Sequence, residues 1–272
     1  MTALFFILPV LAALILFLIA PQKPRFEQKR AFLKRNFAHR GLYTQDQSVP
    51  ENSMEAFRAA TAAGYGIELD VRLSKDGQVV VFHDDTLQRV CGVEGRVDAF
   101  TLEELRGFSL YGSDQHIPLF TEVLRLVDGR VPLIVELKNG PWNNELCEKT
   151  WAILLQYTGA FCVESFDPRI VAWWKKHARQ VLRGQLASNY HDLRRHQGPA
   201  ISFAVSRLLT NVLARPNFVA YSKHRTSWLA KLCVRMGAMP VVFTARPEDD
   251  TDRLQHENEA VIFEYYTPRI RY

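Results

Sequence analysis

The 272-residue sequence predicts an α/β fold, a TIM (β/α)8 barrel, on three observations. Short apolar runs alternate with helical patterns along the chain, as parallel strands joined by crossover helices require. Eight of those runs qualify as parallel strands. Acidic residues lie late in two of the runs, and barrels of this kind carry their active sites at the C-terminal ends of strands. An open doubly wound sheet is the structural alternative, but no G-x-G-x-x-G loop supports a dinucleotide-binding version of it.

The first strand ends near His39, and a helix follows over 53–63. Asn52 or Ser53 suits its N-cap, Glu55 stands three residues beyond Asn52 in capping-box spacing, and Gly64 falls where a left-handed turn closes a helix. Strand two reads Ile67-Glu68-Leu69-Asp70-Val71. The run Val79-Val80-Val81-Phe82 comes after the short turn 74–78, which cannot hold a parallel crossover of about a dozen residues, so an extra antiparallel hairpin is expected after strand two. Further parallel strands are expected over 132–137, 160–165, 181–186, 217–221, 239–244 and 260–264. Helices are expected over 143–156, 168–178, 226–236 and 247–256, and the stretch 187–215 resists assignment.

Residues 3–20, ALFFILPVLAALILFLIA, carry no charge, and as a helix they would rise about 27 Å, close to the hydrocarbon thickness of a bilayer. A cleaved signal peptide would need basic residues before this run and small residues after it, whereas Met1-Thr2 lead in and Leu18-Ile19-Ala20-Pro21 lead out. A buried core helix is disfavoured by the uninterrupted apolarity and by Pro9. The expectation is therefore one N-terminal transmembrane helix (1–22), a basic juxtamembrane linker (23–35) and a barrel domain (36–272). Lys23, Arg25, Lys29, Arg30, Lys34 and Arg35 follow the span, which predicts a single-pass membrane protein with its catalytic domain on the cytoplasmic side.

With 47% hydrophobic and 23% charged residues the composition is that of an ordinary globular chain. The net charge of +5 matters chiefly through the localised cluster after the apolar run, which could rest on anionic lipid headgroups; no nucleic-acid partner is expected. The oligomeric state is not legible. Cys91, Cys147, Cys162 and Cys233 form neither a C-x-x-C pair nor a zinc spacing and read as reduced thiols.

Residues two apart on a strand face the same way, so Glu68 and Asp70 project together, as do Glu136 and Lys138. Three carboxylates at one barrel mouth form an oxygen-only set suited to one divalent cation, Mg²⁺ or Ca²⁺, rather than zinc. Taken singly, each acid reads as half of an ion pair at a strand end. His39 and His83 each end a strand and can reach the same mouth; alone, either reads as a structural histidine, and together they form an acid/base pair. Arg40 can grip two phosphate oxygens and Lys138 adds a second positive charge, or both balance the acids.

Ala38-His39-Arg40-Gly41, Pro50-Glu51-Asn52-Ser53, Glu68-Leu69-Asp70-Val71, Lys75-Asp76-Gly77, His83-Asp84 and Glu136-Leu137-Lys138 occur in this order. Together they resemble the signature of glycerophosphodiester phosphodiesterases. The resemblance implies a TIM barrel, a metal bound through Glu68, Asp70 and Glu136, general acid/base histidines at His39 and His83, and phosphate contacts from Arg40 and Lys138. It implies cleavage of glycerophosphodiesters to glycerol 3-phosphate and an alcohol, or of lysophospholipids in the manner of a lysophospholipase D. A catalytically silent, membrane-tethered lipid-binding barrel is the alternative, and the complete polar set argues against it. Two stretches depart from the family pattern. Phe243-Thr244-Ala245-Arg246 stands where Trp-Thr, an apolar residue and Asn are common, and Phe263-Glu264-Tyr265-Tyr266-Thr267-Pro268 replaces an apolar-Thr-Asp-x-Pro pattern.

Overall fold

Alternation along each strand sorts the side chains into a barrel interior and an outer layer covered by helices. In the computed structural model, which describes residues 2–194, 198–223 and 227–270, the strands are β1 (Arg35–His39), β2 (Gly66–Leu73), β3 (Val79–Val81), β4 (Leu133–Leu137), β5 (Phe161–Ser165), β6 (Leu182–Ala187), β7 (Phe218–Ser222), β8 (Met239–Ala245) and β9 (Ala260–Phe263). Their order is β1-β9-β8-β7-β6-β5-β4-β2-β3, and a further β1–β2 pairing closes the circle. Eight parallel strands therefore form a TIM-like barrel. The short β3 stands outside the circle, antiparallel to the end of β2 with Val71 opposite Val81.

Two apolar layers hold the barrel. Ala38, Ile67, Leu69, Val71, Val135 and Val163 point outward and pack against Phe57, Phe120, Leu146 and Trp174 of the surrounding helices. Phe37, Ile134, Cys162, Phe218, Met239, Val241 and Ile262 fill the lower interior, with Phe32 packed into the same cluster. Truncating a ring as fully buried as Phe37 costs about 3–5 kcal/mol. Gly184 leaves room for this packing, because a Cβ there would collide with the Phe218 ring. One register step towards the strands' C-terminal ends, the inward residues become polar: His39 lies opposite Glu68, Asp70 opposite Glu136, and Glu136 opposite Glu164.

The helices Met54–Ala62, Asn143–Leu154, Pro168–His177, Trp228–Arg235 and Thr251–Glu257 lie where helical periodicity is expected. Ser53, rather than Asn52, caps the first of them by accepting the Ala56 N–H. The expected helix start at 226 lies outside the described residues, as do Met1 and residues 271–272. Among the described residues of the stretch 187–215 the helices are Tyr190–Leu193, Pro199–Ser206 and Asn211–Ala214, pieces too short to carry a clear period.

The transmembrane expectation is corrected. Among the described residues, no helix is long and apolar enough to cross a membrane. The helix Thr2–Ile19 instead ends docked on the barrel's helical layer. Ile19 is fully buried in a cluster with Ala187, Leu193, Val205 and Leu208, and Ile15 packs against the same cluster. Asn211 Nδ2 donates to the Ile19 carbonyl at 3.0 Å, and Arg215 Nη1 donates to the Phe17 and Ala20 carbonyls at 2.6 and 3.0 Å. Protein groups thus take up the last turn, which apolarity alone had suggested lipid would cover. The single-pass placement with a cytoplasmic catalytic domain falls with the span. Gln22, at the end of the expected span, accepts through Oε1 from the buried Arg183, and part of the basic stretch expected as a juxtamembrane linker also packs on the body, with Gln28 Nε2 donating to the Gln180 carbonyl.

Candidate active site

At the end of β1 the chain makes a sharp turn: Arg40 has φ +54° and Gly41 φ +83°. Gly41 is required there, since a Cβ would lie 2.8 Å from the Ala56 Cβ. The turn leaves the His39 side chain at the mouth and aims the Arg40 backbone N–H at Glu68 Oε2, 3.1 Å away.

Glu68, Asp70 and Glu136, expected as metal ligands, are brought together: one carboxylate oxygen from each lies within 4.8 Å of the others, and all three residues are buried. Lys138, expected as a phosphate contact, places Nζ 2.8 Å from Asp70 Oδ1 and 2.7 Å from Glu136 Oε1. Arg40, expected in the same role, donates Nη1 to Glu51 Oε1 at 2.7 Å while its Nε lies 3.7 Å from Asp70 Oδ2. Asn52 Nδ2 donates to that same Asp70 oxygen at 2.8 Å.

Burial and the neighbouring charges of Asp70 and Glu136 push the Glu68 carboxyl well above its usual range. Burial also raises Glu136, against the opposing pull of Lys138. Burial alone would raise Asp70 too, but Lys138, His83 and Arg40 overcome it and hold this carboxyl well below its usual range. Burial and mutual repulsion thus oppose ionising all three carboxyls at once, and a cation among them would relieve that cost. An all-oxygen, electron-rich set of this kind fits a hard divalent cation.

Both expected acid/base histidines stand at this mouth with Nδ1 against a carboxylate. His39 Nδ1 lies 2.7 Å from Glu264 Oε2, and its Nε2 is 3.9 Å from Glu68 Oε2. His83 Nδ1 lies 2.6 Å from Asp84 Oδ1, and the ring interacts electrostatically with Asp70, Lys138 and Arg40. Burial and the Arg40 charge lower the His39 pKa; burial, Lys138 and Arg40 lower that of His83 to about 3. Both rings are neutral near pH 7.

Several neighbours escaped the sequence reading. Glu264 directly follows β9, a charge closing an apolar run as His39 closes β1, yet nothing in the sequence joins it to a residue 225 positions away. Arg89 binds Asp84 through Nε at 2.6 Å and Glu51 through Nη2 at 2.7 Å, so one guanidinium supports both the His83 partner and the Arg40 partner. Glu164 lies beside Glu136 on β5, buried and with Oε2 lacking a hydrogen-bond partner, and burial pushes its carboxyl up.

The fold and this polar mouth define a (β/α)8 barrel with a cluster of buried charged side chains at the C-terminal ends of its strands, where barrels of this kind carry their active sites. A model of the glycerophosphoryl diester phosphodiesterase family matches residues 39–255, and the chain belongs to that family. It is 41% identical over 111 residues to a glycerophosphodiester phosphodiesterase of Caldanaerobacter subterraneus, covering 38% of this chain and 44% of the relative. It is 31% identical over 173 residues to a lysophospholipase D of Homo sapiens, covering 57% of this chain and 53% of the relative. In both, the match spans about half of the relative's length. Among solved structures, a phosphodiesterase of Oleispira antarctica in complex with the product sn-glycerol-3-phosphate superposes with a TM-score of 0.71 at 23% identity, covering 87% of this chain and 95% of that one.

Proposed function

We propose that this chain hydrolyses glycerophosphodiesters to glycerol 3-phosphate and an alcohol, with one divalent cation, Mg²⁺ or Ca²⁺, held by Glu68, Asp70 and Glu136. The observation that carries the reading is the meeting of those three buried carboxylates with Lys138 and Arg40 at a mouth flanked by two neutral imidazoles. Family membership supports the same reaction. The activity is assigned to the barrel unit expected over 36–272.

Arg40 and Lys138 are the phosphate-binding groups in this reading, the first as a planar fork and the second as a point charge. His39 and His83 move protons: one imidazole accepts the proton of the attacking hydroxyl while the phosphorus–oxygen bond to the alcohol breaks, and the leaving oxygen is protonated from water or from the other ring once that ring has taken up a proton. A bound cation would neutralise charge building on the phosphodiester oxygens, the largest contribution in reactions of this type.

A second substrate class, lysophospholipids cleaved in the manner of a lysophospholipase D, is favoured by the similarity to the human lysophospholipase D, and the altered stretches 243–246 and 263–268 leave the alcohol-side pocket open to either class. The two are separated by measuring glycerol 3-phosphate released from glycerophosphocholine against lysophosphatidic acid released from lysophosphatidylcholine, with Mg²⁺, Ca²⁺ or chelator present. Chelator and Glu136→Ala are each expected to abolish turnover. No metal-dependent product from a broad diester panel would overturn the enzymatic reading in favour of a silent ligand-binding barrel.

A further inference from the structure

The two stretches in which the chain departs from the family pattern meet in space, on the back of His39. Arg246 Nε donates to Glu264 Oε1 at 2.7 Å. The other oxygen, Oε2, accepts the Tyr43 hydroxyl at 2.8 Å and lies 2.7 Å from His39 Nδ1. The Arg246 guanidinium also sits over the Tyr265 ring, which packs edge-on against Tyr43. Either departure alone would leave an uncompensated charge beside the histidine; together they form an ion pair. Glu264 is buried and fully engaged, so its carboxylate has little freedom to move.

An ionised carboxylate only accepts hydrogen bonds, so a neutral His39 must carry its hydrogen on Nδ1. Nε2 is then bare, and it is the ring nitrogen that faces the carboxylate cluster, 3.9 Å from Glu68 Oε2. We propose that Glu264, clamped by Arg246 and Tyr43, is the positioning residue that sets this tautomer, so that His39 Nε2 takes the proton of the attacking hydroxyl in phosphodiester cleavage. The proton-accepting role rests on the function proposed above. In the step, the hydroxyl O–H bond breaks and an N–H bond forms at Nε2. The oxygen's electron pair makes the new O–P bond as the P–O bond to the alcohol breaks, and the leaving oxygen takes a proton from water. The imidazolium so formed faces Glu264, whose negative charge stabilises it.

The test uses the full chain with Mg²⁺ and compares Glu264→Leu and Glu264→Gln with the unmodified protein. Steady-state kinetics on glycerophosphocholine are read beside imidazole ¹⁵N NMR, with His39→Gln identifying the ring signals. Glu264→Leu is expected to lower kcat by roughly a hundredfold or more with KM changed less than about threefold, and to convert His39 to a tautomer mixture. Glu264→Gln, whose amide oxygen still accepts Nδ1–H, is expected to keep the tautomer and recover part of kcat. If Glu264→Leu does not fold, Arg246→Leu, which frees one Glu264 oxygen, is expected to lower kcat by about three- to tenfold in the same direction. The proposal is overturned if His39 in the unmodified protein carries its hydrogen on Nε2, or if loss of Glu264 leaves kcat or the tautomer unchanged. Because the NMR reads the ring without turnover, an inactive protein with the Nδ1–H tautomer would sink the phosphodiesterase reading, and the proton-accepting role with it, while leaving Glu264's hold on the ring standing.

Discussion

Two histidine–carboxylate pairs face one mouth, and they are built in opposite ways. His83 and Asp84 are adjacent in the chain, just beyond the short β3, and Asp84 is shared with the half-exposed Arg89. His39 and Glu264 lie 225 residues apart, the first at the end of β1 and the second directly after β9, and Glu264 is shared with Tyr43 and Arg246. The contacts are nearly equal in length, 2.6 against 2.7 Å. What differs is the support. The first pair can form wherever the loop carries it, whereas the second forms only when the barrel closes by pairing β1 with β9. A frame-borne pair holds its geometry more tightly than a loop-borne one, because rigid elements position side chains more accurately than loops do.

The largest expected effects test whether both pairs belong to the chemistry at all. His39→Ala and His83→Ala should each lower kcat by about 10²- to 10⁴-fold, measured on the substrate that the product assay selects. A variant that stays within tenfold of the unmodified protein would remove its pair from the comparison. Next comes the support of each ring: Asp84→Asn should cost roughly tenfold in kcat, less than the loss expected at Glu264, because a ring on a loop is less strictly held to begin with. Equal losses would abolish the distinction between loop and frame.

A smaller effect is expected from Arg89→Leu, which loosens Asp84 and Glu51 together. Activity should fall by about three- to tenfold, while stability in a urea melt should change by less than about 1 kcal/mol because the guanidinium is half exposed. The His39 tautomer should not change. The smallest effect concerns acid stability. Burial alone would raise Glu264, but its contacts with His39, Tyr43 and Arg246 bring it down to about 2 from an ordinary 4.5. A depressed carboxyl adds stability that is complete above the unfolded value and lost as pH falls through the folded value. The unmodified protein should therefore lose stability between about pH 4.5 and pH 2 more steeply than Glu264→Gln, with urea midpoints across that range as the measurement.

Much of this site was legible because its parts are local. Glu68 with Asp70, and Glu136 with Lys138, share a face through period-two alternation, and the structure places all four in one cluster. His83 and Asp84 are neighbours by covalent connection. Asn52 was read as a possible helix cap, whereas its side chain binds Asp70 and Ser53 does the capping. Two polar residues side by side offer the same capping chemistry, and only the position of β2 decides which is free for it. The N-terminal helix failed as a membrane span for a related reason. Its apolarity says that something apolar covers it, but not whether lipid or protein does, and the pocket around Ile19 is assembled from residues far along the chain.

The sequence by itself determined the strands, their inward and outward faces and the polar residues at their ends, since all of these depend on alternation and on near neighbours. Tertiary structure alone decided that Glu264 and Arg246 stand behind His39, that Arg89 bridges the supports of His83 and Arg40, and that the first helix ends docked on the barrel. Those contacts depend on barrel closure and on packing between residues tens to hundreds of positions apart, and no local pattern encodes such distances.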